Sequence, residues 1–131
     1  MKTKTVRQTV TFRAKPHEVY EALMDSKMHS KFTQAKANIS REVGGEFTAY
    51  NEFITGTNLE PVPDKKIVQR WRGSDWPKGH CSTATFELKE IEDGTEFTFV
   101  QTGVPEEQYE HINEGWHEQY WKKMKKMLEK K

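Results

Sequence analysis

The chain has 131 residues, enough for one domain with its own core, and no run in it approaches the ~20 apolar residues needed to cross a bilayer. The formal net charge of +1 excludes a general attraction to nucleic acid or to acidic membranes. The N-terminus lacks an apolar signal core and the single cysteine, Cys81, cannot form an internal disulfide, so we expect a cytoplasmic protein.

The first third of the chain predicts one strand followed by two short helices. Residues 4–12 alternate between polar and apolar side chains, which is typical of a strand. Pro16 suits the first turn of a helix, and apolar residues at helical spacing continue to about Asp25. Ser26 is the expected N-cap of a second helix that reaches Phe32.

The middle of the chain predicts about six more strands. The apolar pattern changes to period two at Ala37, and the sheet is expected to end at Val104-Pro105. Gly44-Gly45 and Asp93-Gly94 mark turns, because glycine tolerates a positive φ. A further turn is expected at 61–64, and the strands at 37–43, 46–50, 53–59, 66–72, 82–90 and around residues 97–99.

The last quarter, residues 106–130, predicts one long amphipathic helix. Gly115 lowers its helix propensity by about 1 kcal/mol, which indicates a close approach of the helix to the sheet. Because antiparallel strands that bury one face need a cover, we expect an α+β fold, with a curved antiparallel sheet of six to seven strands wrapped around this helix. Its apolar stripe consists of Tyr109, Ile112, Trp116, Tyr120, Met124, Met127 and Leu128.

No pattern typical of catalysis, of a metal site or of a cofactor site occurs. Gly44-Gly45 leads into a strand and not into a helix, which argues against a phosphate-binding loop. Four glutamates spaced by four residues, from Glu106 to Glu118, are expected to be a solvated face. We therefore predict no enzyme, no cofactor and no metal, and surface or capping positions for His17, His29, His80, His111 and His117.

Eight aromatic residues of the predicted sheet and helix leave two interpretations open. They either line a cavity between sheet and helix or fill a core, and a filled core is favoured because aromatic stripes at these spacings normally pack. The residues are Phe12, Phe47, Trp71, Phe86, Phe97, Phe99, Trp116 and Tyr120.

Trp76 differs from these because it falls in a predicted surface turn, 73–79, that holds Pro77 and two glycines. A rigid aromatic in such a loop is typical of an interface anchor. The alternative, a side chain folded back over the edge of the sheet, is equally open. Phe32 and Thr33 leave the same choice between contact with a partner and a lid over the sheet.

Several motifs resemble those of one known family, and the Trp-Arg-x-x-x-Trp-Pro-x-Gly-His run is the most specific of them. From about Thr5 to Leu128, the chain resembles the C-terminal domain of the activators of the heat shock protein 90 ATPase, within the START-like (SRPBCC, Bet v-like) helix-grip superfamily. The motifs are Lys31-Phe-Thr33, Gly44-Gly45-Glu-Phe47, Ile67-Val-Gln-Arg-Trp-Arg72, Trp76-Pro-Lys-Gly-His80, Gly103-Val-Pro105, and Gly115-Trp116 followed by Tyr120-Trp121.

This resemblance implies a non-enzymatic co-chaperone that binds heat shock protein 90 and stimulates its ATPase. The superfamily implies an alternative, a carrier of a small hydrophobic molecule in the grip cavity, and a cavity enzyme ranks last. The eukaryotic activator has an additional N-terminal domain, which we expect to be absent here because the first strand begins within six residues of Met1. Partner contact is expected at Phe32, Thr33, Trp76, Pro77 and Lys78, with charged rims from Lys31 and Lys36.

Overall fold

A computed structural model describes residues 2–129 and shows a seven-stranded antiparallel sheet covered by a C-terminal helix. The strand order is β1-β7-β6-β5-β4-β3-β2, so the first and last strands are neighbours and the chain returns to its start. The strands are β1 Thr3–Phe12, β2 Asn38–Ile39, β3 Gly45–Ala49, β4 Ile54–Val62, β5 Lys66–Gly73, β6 Ser82–Ile91 and β7 Gly94–Pro105.

Two short helices follow β1, as predicted. Helix α1 spans Pro16–Met24 and α2 spans Ser26–Thr33. The N-cap of α2 is Asp25 and not Ser26, because the Asp25 carboxylate accepts the backbone N–H groups of Lys27 and Met28. The Ser26 hydroxyl instead accepts the N–H of Ile39, which fixes the short strand β2 against α2.

The predicted strands exist, but several of their limits were wrong, most clearly in β2 and β4. The first strand of the period-two region shortens to two residues, Asn38–Ile39. β4 runs through Pro61, which pairs with Ile67, so the turn begins two residues later than predicted. The register of β4 against β5 shifts between Asn58 and Glu60, and the pairing continues beyond this irregularity to Val62 and Lys66.

The C-terminal helix is not one regular α-helix. A 3₁₀ turn, Glu106–Gln108, leads into α3, Tyr109–Gly115; a π-helical segment follows at Trp116–Trp121, and α4 spans Lys122–Leu128. Because a π turn holds more residues than an α turn, Tyr120 and Trp121 are both buried, whereas the predicted stripe included only Tyr120. The predicted end of this helix, Lys130, lies outside the described residues.

The expected close approach at Gly115 was also wrong. A Cβ placed on Gly115 would meet nothing within 4 Å, so the residue borders open space. Gly56 in β4 is one of the glycines that do permit close packing, since a Cβ there would lie 2.0 Å from the Arg70 carbonyl oxygen. None of the described helices is long and apolar enough to span a membrane.

Candidate partner-binding surface

The motif from Trp71 to His80 comprises the end of β5 and the loop that follows it, which we call the Trp76 loop. Contacts within the motif hold this loop in place. The Trp76 ring lies 5.4 Å from the Trp71 ring, and a Cβ on Gly73 would come within 2.8 Å of its indole nitrogen. The Arg72 guanidinium donates to the carbonyl oxygens of Trp76 (3.0 Å) and Pro77 (3.1 Å). His80 Nε2 donates to the Gly103 carbonyl oxygen at 2.7 Å, which fastens the loop to β7.

Three of the expected partner contacts, Phe32, Thr33 and Trp76, are buried in this structure. Trp76 is 4% exposed, so the structure shows the side chain folded back and not a free interface anchor. Phe32 packs against the rings of His29 and Tyr120, and the Thr33 hydroxyl donates to the His29 carbonyl oxygen. Helix α2 turns Phe32 toward Tyr120 of the C-terminal helix, where apolar burial is favourable.

The other four expected contacts are exposed, namely Lys31, Lys36, Pro77 and Lys78. Hydrogen bonds join the loops that carry three of them. The Lys36 N–H donates to the Asn51 side chain, and the Asn51 N–H donates back to the Lys36 carbonyl oxygen. The Ser74 N–H then donates to the Phe53 carbonyl oxygen at 2.8 Å. Lys36 and the Trp76 loop therefore meet across the turn 50–53.

The turn 50–53 is strained. Tyr50, Asn51 and Glu52 have φ values of 49°, 57° and 73°, three consecutive left-handed residues without a glycine. Such backbone costs roughly 1–2 kcal/mol for each ordinary residue and persists only where the surroundings impose it. The Tyr50 hydroxyl donates to the Gln119 carbonyl oxygen at 2.6 Å, and Phe53 is left 40% exposed.

An open groove of about 370 Å³ lies between this turn and the C-terminal helix, and we call it the apolar groove. Its sides are the strained turn and the π-helical region, and Trp71 of β5 contributes to its lining. π-helical turns and strained turns both occur frequently at functional sites. The residues lining it are Tyr50, Phe53, Ile54, Trp71, His111, Ile112, Gly115, Trp116, Gln119 and Tyr120.

Sequence reasoning missed most of this lining. Trp71, Trp116 and Tyr120 were candidates for a cavity, but Tyr50, Phe53 and Gln119 were not. The left-handed tolerance of asparagine at position 51 is the only local signal for the turn. The groove depends on how the β3–β4 connection meets the helix, which is a contact between residues about 69 positions apart.

The space between sheet and helix is filled. All eight aromatic candidates are buried, and the gap bordered by Phe47, Trp71, Phe86, Trp116 and Tyr120 is about 10 Å³. Phe99 and Trp116 lie 4.4 Å apart between ring centroids, and Phe12 and Phe97 meet edge to face at 5.5 Å. Phe12, Phe97 and Phe99 therefore act as core residues, whereas Trp71, Trp116 and Tyr120 also face the apolar groove.

A buried histidine is the main electrostatic feature of the interior. His29 is 4% exposed, and burial lowers its pKa from 6.5 to about 4, so its ring is neutral at neutral pH. Its Nδ1 has no hydrogen-bond partner among the described residues. The sequence expectation of a surface or capping position was wrong for His29, because α2 is too short to show which face it buries. Burial also raises the pKa of the neighbouring Tyr120 hydroxyl.

A second open groove, of about 390 Å³, separates α2 from α4, and we call it the basic groove. Lys31 enters it from the last turn of α2, and Lys123 and Lys126 enter from α4. Phe32, Gln34 and Met127 complete the lining. Within residues 2–129, no cluster of three His, Cys, Asp or Glu residues could hold a metal ion.

Comparison with known proteins identifies the family. The model of the family described as "Activator of Hsp90 ATPase homolog 1-like protein" matches residues 13–129. The chain belongs to this family. Two relatives named as activators of the 90 kDa heat shock protein ATPase are similar to it: the human homolog 1 is 30% identical over 88% of the chain, and the Dictyostelium discoideum homolog is 36% identical over 87%.

This family has longer members than the present chain. The chain spans about a third of the curated relatives it matches, 34% of the human protein and 30% of the Dictyostelium protein. The crystal structure of an HSP90 activator from Plasmodium falciparum shares the fold with a TM-score of 0.91, at 21% identity, over 95% of this chain and 96% of that one. The helix-grip fold inferred from the sequence is therefore correct.

Proposed function

We propose that this protein is a co-chaperone that binds heat shock protein 90 and promotes its ATPase cycle. The observation that carries the proposal is family membership over residues 13–129, together with relatives at 30% and 36% identity that are named as activators of that ATPase. The protein acts by binding and performs no chemistry of its own in this proposal. An activator of this kind must bind the chaperone's closed, ATP-competent form more tightly than its open form, since equal affinity shifts no equilibrium.

The exposed residues expected from the sequence lie on surfaces suited to this role. Lys36, Pro77 and Lys78 belong to loops joined through Asn51 and Phe53, so they can meet one partner together. Lys31 lines the basic groove on the neighbouring helix. Cationic side chains on such a rim steer association and set register, while apolar contacts supply most of the affinity.

Steady-state ATP hydrolysis by heat shock protein 90 of the same organism tests the proposal. We expect the wild-type protein to raise the rate, and K36E/K78E to raise it less at equal concentration. K65E/K89E makes the same change in net charge at exposed lysines that line neither groove, and it should act as the wild type does. Absence of both binding and stimulation by the wild type would overturn the proposal.

A second candidate function has one observation in its favour, the apolar groove of about 370 Å³. That volume lies in the range of small-molecule sites, and Trp71, Trp116 and Tyr120 offer flat apolar surfaces. A carrier of this kind would bind a hydrophobic molecule without chaperone contact. Mass spectrometry of the purified protein under native conditions tests it: a bound small molecule that is displaced by Gly115→Phe would support a carrier, and an empty protein would oppose it.

A further inference from the structure

We propose that the apolar groove and the basic groove together bind one acidic segment of the partner protein, with a bulky apolar side chain of that segment in the apolar groove. Its carboxylates lie against Lys31, Lys123 and Lys126. The inference rests on the proposed function, because it names the surface and the partner chemistry through which the co-chaperone binds.

The two grooves are neighbours on one surface. Tyr50 lines the apolar groove and Lys123 lines the basic groove, and the Lys123 Nζ lies 5.8 Å from the centroid of the Tyr50 ring. Below them the Tyr120 ring packs against both Tyr50 (5.8 Å) and Phe32 (5.7 Å). Phe32 in turn lines the basic groove. One extended segment can therefore cross from the first groove to the second without leaving the surface.

The charge of the basic groove determines the chemistry of its occupant. Lys31, Lys123 and Lys126 line it with Phe32, Gln34 and Met127, so no acidic residue contributes to the lining. None of the three lysines forms a salt bridge with another described residue, whereas Lys122 on the same helix is paired with Glu118. Three like charges around one groove repel one another, and carboxylates of a partner relieve that repulsion.

Electrostatics at the helix ends do not account for this arrangement. Cations favour the last turn of a helix, and Lys31 and Lys126 occupy such positions in α2 and α4. Lys123, however, lies before the last turn of a C-terminal helix that continues without a break through α3, the π-helical segment and α4, and the effect of the helix dipole is confined to the terminal turns. Its place beside Tyr50 and Lys31 is therefore better explained by the groove it lines.

The apolar groove determines the second part of the occupant. A small anion would satisfy the lysines but leave the apolar lining and the exposed Phe53 ring in water. A neutral hydrophobe would fill the groove and leave the lysines without counter-charge. An acidic segment with one bulky aliphatic or aromatic residue satisfies both, and buried aromatic contacts of this type commonly dominate protein interfaces.

Binding of heat shock protein 90 to charge-reversal variants tests the inference. We expect K31E/K123E to bind roughly tenfold or more weakly than the wild type, while the matched control K65E/K89E binds within about twofold. Higher ionic strength should weaken the wild type and narrow its difference from K31E/K123E, since the ion pairs are screened. Circular dichroism confirms folding, and K31Q/K123Q replaces the reversal variant if that variant is unfolded.

A second pair of variants, one test and one control, examines the apolar groove. Phe53 (40% exposed) and Val43 (75% exposed) are the two large exposed hydrophobic residues of residues 2–129, and only Phe53 lines the groove. We expect Phe53→Ser to weaken binding about fivefold to tenfold and Val43→Ser to leave it unchanged.

The possible failures are distinguishable. If the wild type binds the chaperone and both K31E/K123E and Phe53→Ser bind equally well, the inference is overturned and the proposed function stands. If only one of the two variants binds like the wild type, the inference that both grooves bind one segment is likewise overturned. If the wild type does not bind the chaperone, the proposed function fails and the inference fails with it.

Discussion

The indole N–H of Trp116 donates a hydrogen bond of 2.8 Å to Oε1 of Gln101, and this bond joins the C-terminal helix to β7. Gln101 Nε2 donates onward to the Ser82 hydroxyl, which donates to the Trp71 carbonyl oxygen. Four polar groups are thereby satisfied inside the core. A second link has the same form, since Trp121 donates to Gln8 and Gln8 donates to Asn113.

Gln101→Met should lower the free energy of unfolding by ~1–3 kcal/mol. The substitution nearly preserves volume but leaves the Trp116 N–H buried without a partner. Urea denaturation measures the effect, and a cycle with Trp116→Phe isolates the bond: because the double variant loses both partners, the two effects should not add. Strict additivity would show that this hydrogen bond contributes no stability.

Trp76→Ala should destabilise the protein by ~3–5 kcal/mol, because the buried ring packs on Trp71 and Gly73. Pro77→Ala, next to it in the loop but exposed, should change the free energy of unfolding by less than ~0.5 kcal/mol. Thermal or urea denaturation compares the two. Small and equal effects of the two substitutions on the free energy of unfolding would mean that Trp76 does not support the loop. A loss of partner binding by Trp76→Ala can be assigned to the interface only if this measurement shows that the variant is folded.

His29 should make the protein less stable as the pH falls from 6.5 toward 4. Its pKa is about 4 in the folded state and near 6.5 in the unfolded chain, so the unfolded chain binds the extra proton in this interval. At pH 5 the loss from His29 should be about 2 kcal/mol relative to pH 7.5. Denaturation at both values measures it.

Two variants provide the control for His29. His29→Phe, which keeps an aromatic ring between Phe32 and Tyr120, should reduce the pH-dependent loss, whereas His117→Gln on the exposed helix face should keep it. A loss of the same size in His29→Phe would assign the acid sensitivity to other groups.

Glu52→Gly should raise the free energy of unfolding by ~1 kcal/mol. Glu52 has a φ of 73°, a conformation that glycine adopts without the Cβ penalty. Glu46→Gly within β3 should have the opposite sign, because glycine weakens a strand. A destabilised Glu52→Gly variant would show that the Glu52 side chain supports the turn by more than its strain costs.

Gly115→Ala should stabilise the helix by ~0.5–1 kcal/mol. Its φ of −59° is helical and the added methyl group meets no atom within 4 Å. Gly56→Ala should be destabilising, since its Cβ would overlap the Arg70 carbonyl oxygen and the Phe47 ring. Urea denaturation measures the free energy of unfolding of both variants. A change of the same sign in both would contradict the conclusion that Gly115 borders open space and Gly56 does not.

The sequence by itself determined the order of elements, the antiparallel sheet and the covering helix, because period-two and helical apolar patterns are local properties. It also determined the family through motifs such as residues 71–80. Tertiary structure decided which individual side chains are buried and which are exposed. His29 is buried against Tyr120 of the distant C-terminal helix, and Trp76 is buried against Trp71 within its own loop. The π-helical segment brings both Tyr120 and Trp121 inward. The two grooves exist only where α2, the turn 50–53 and the C-terminal helix meet, and no local pattern encodes such contacts between distant residues.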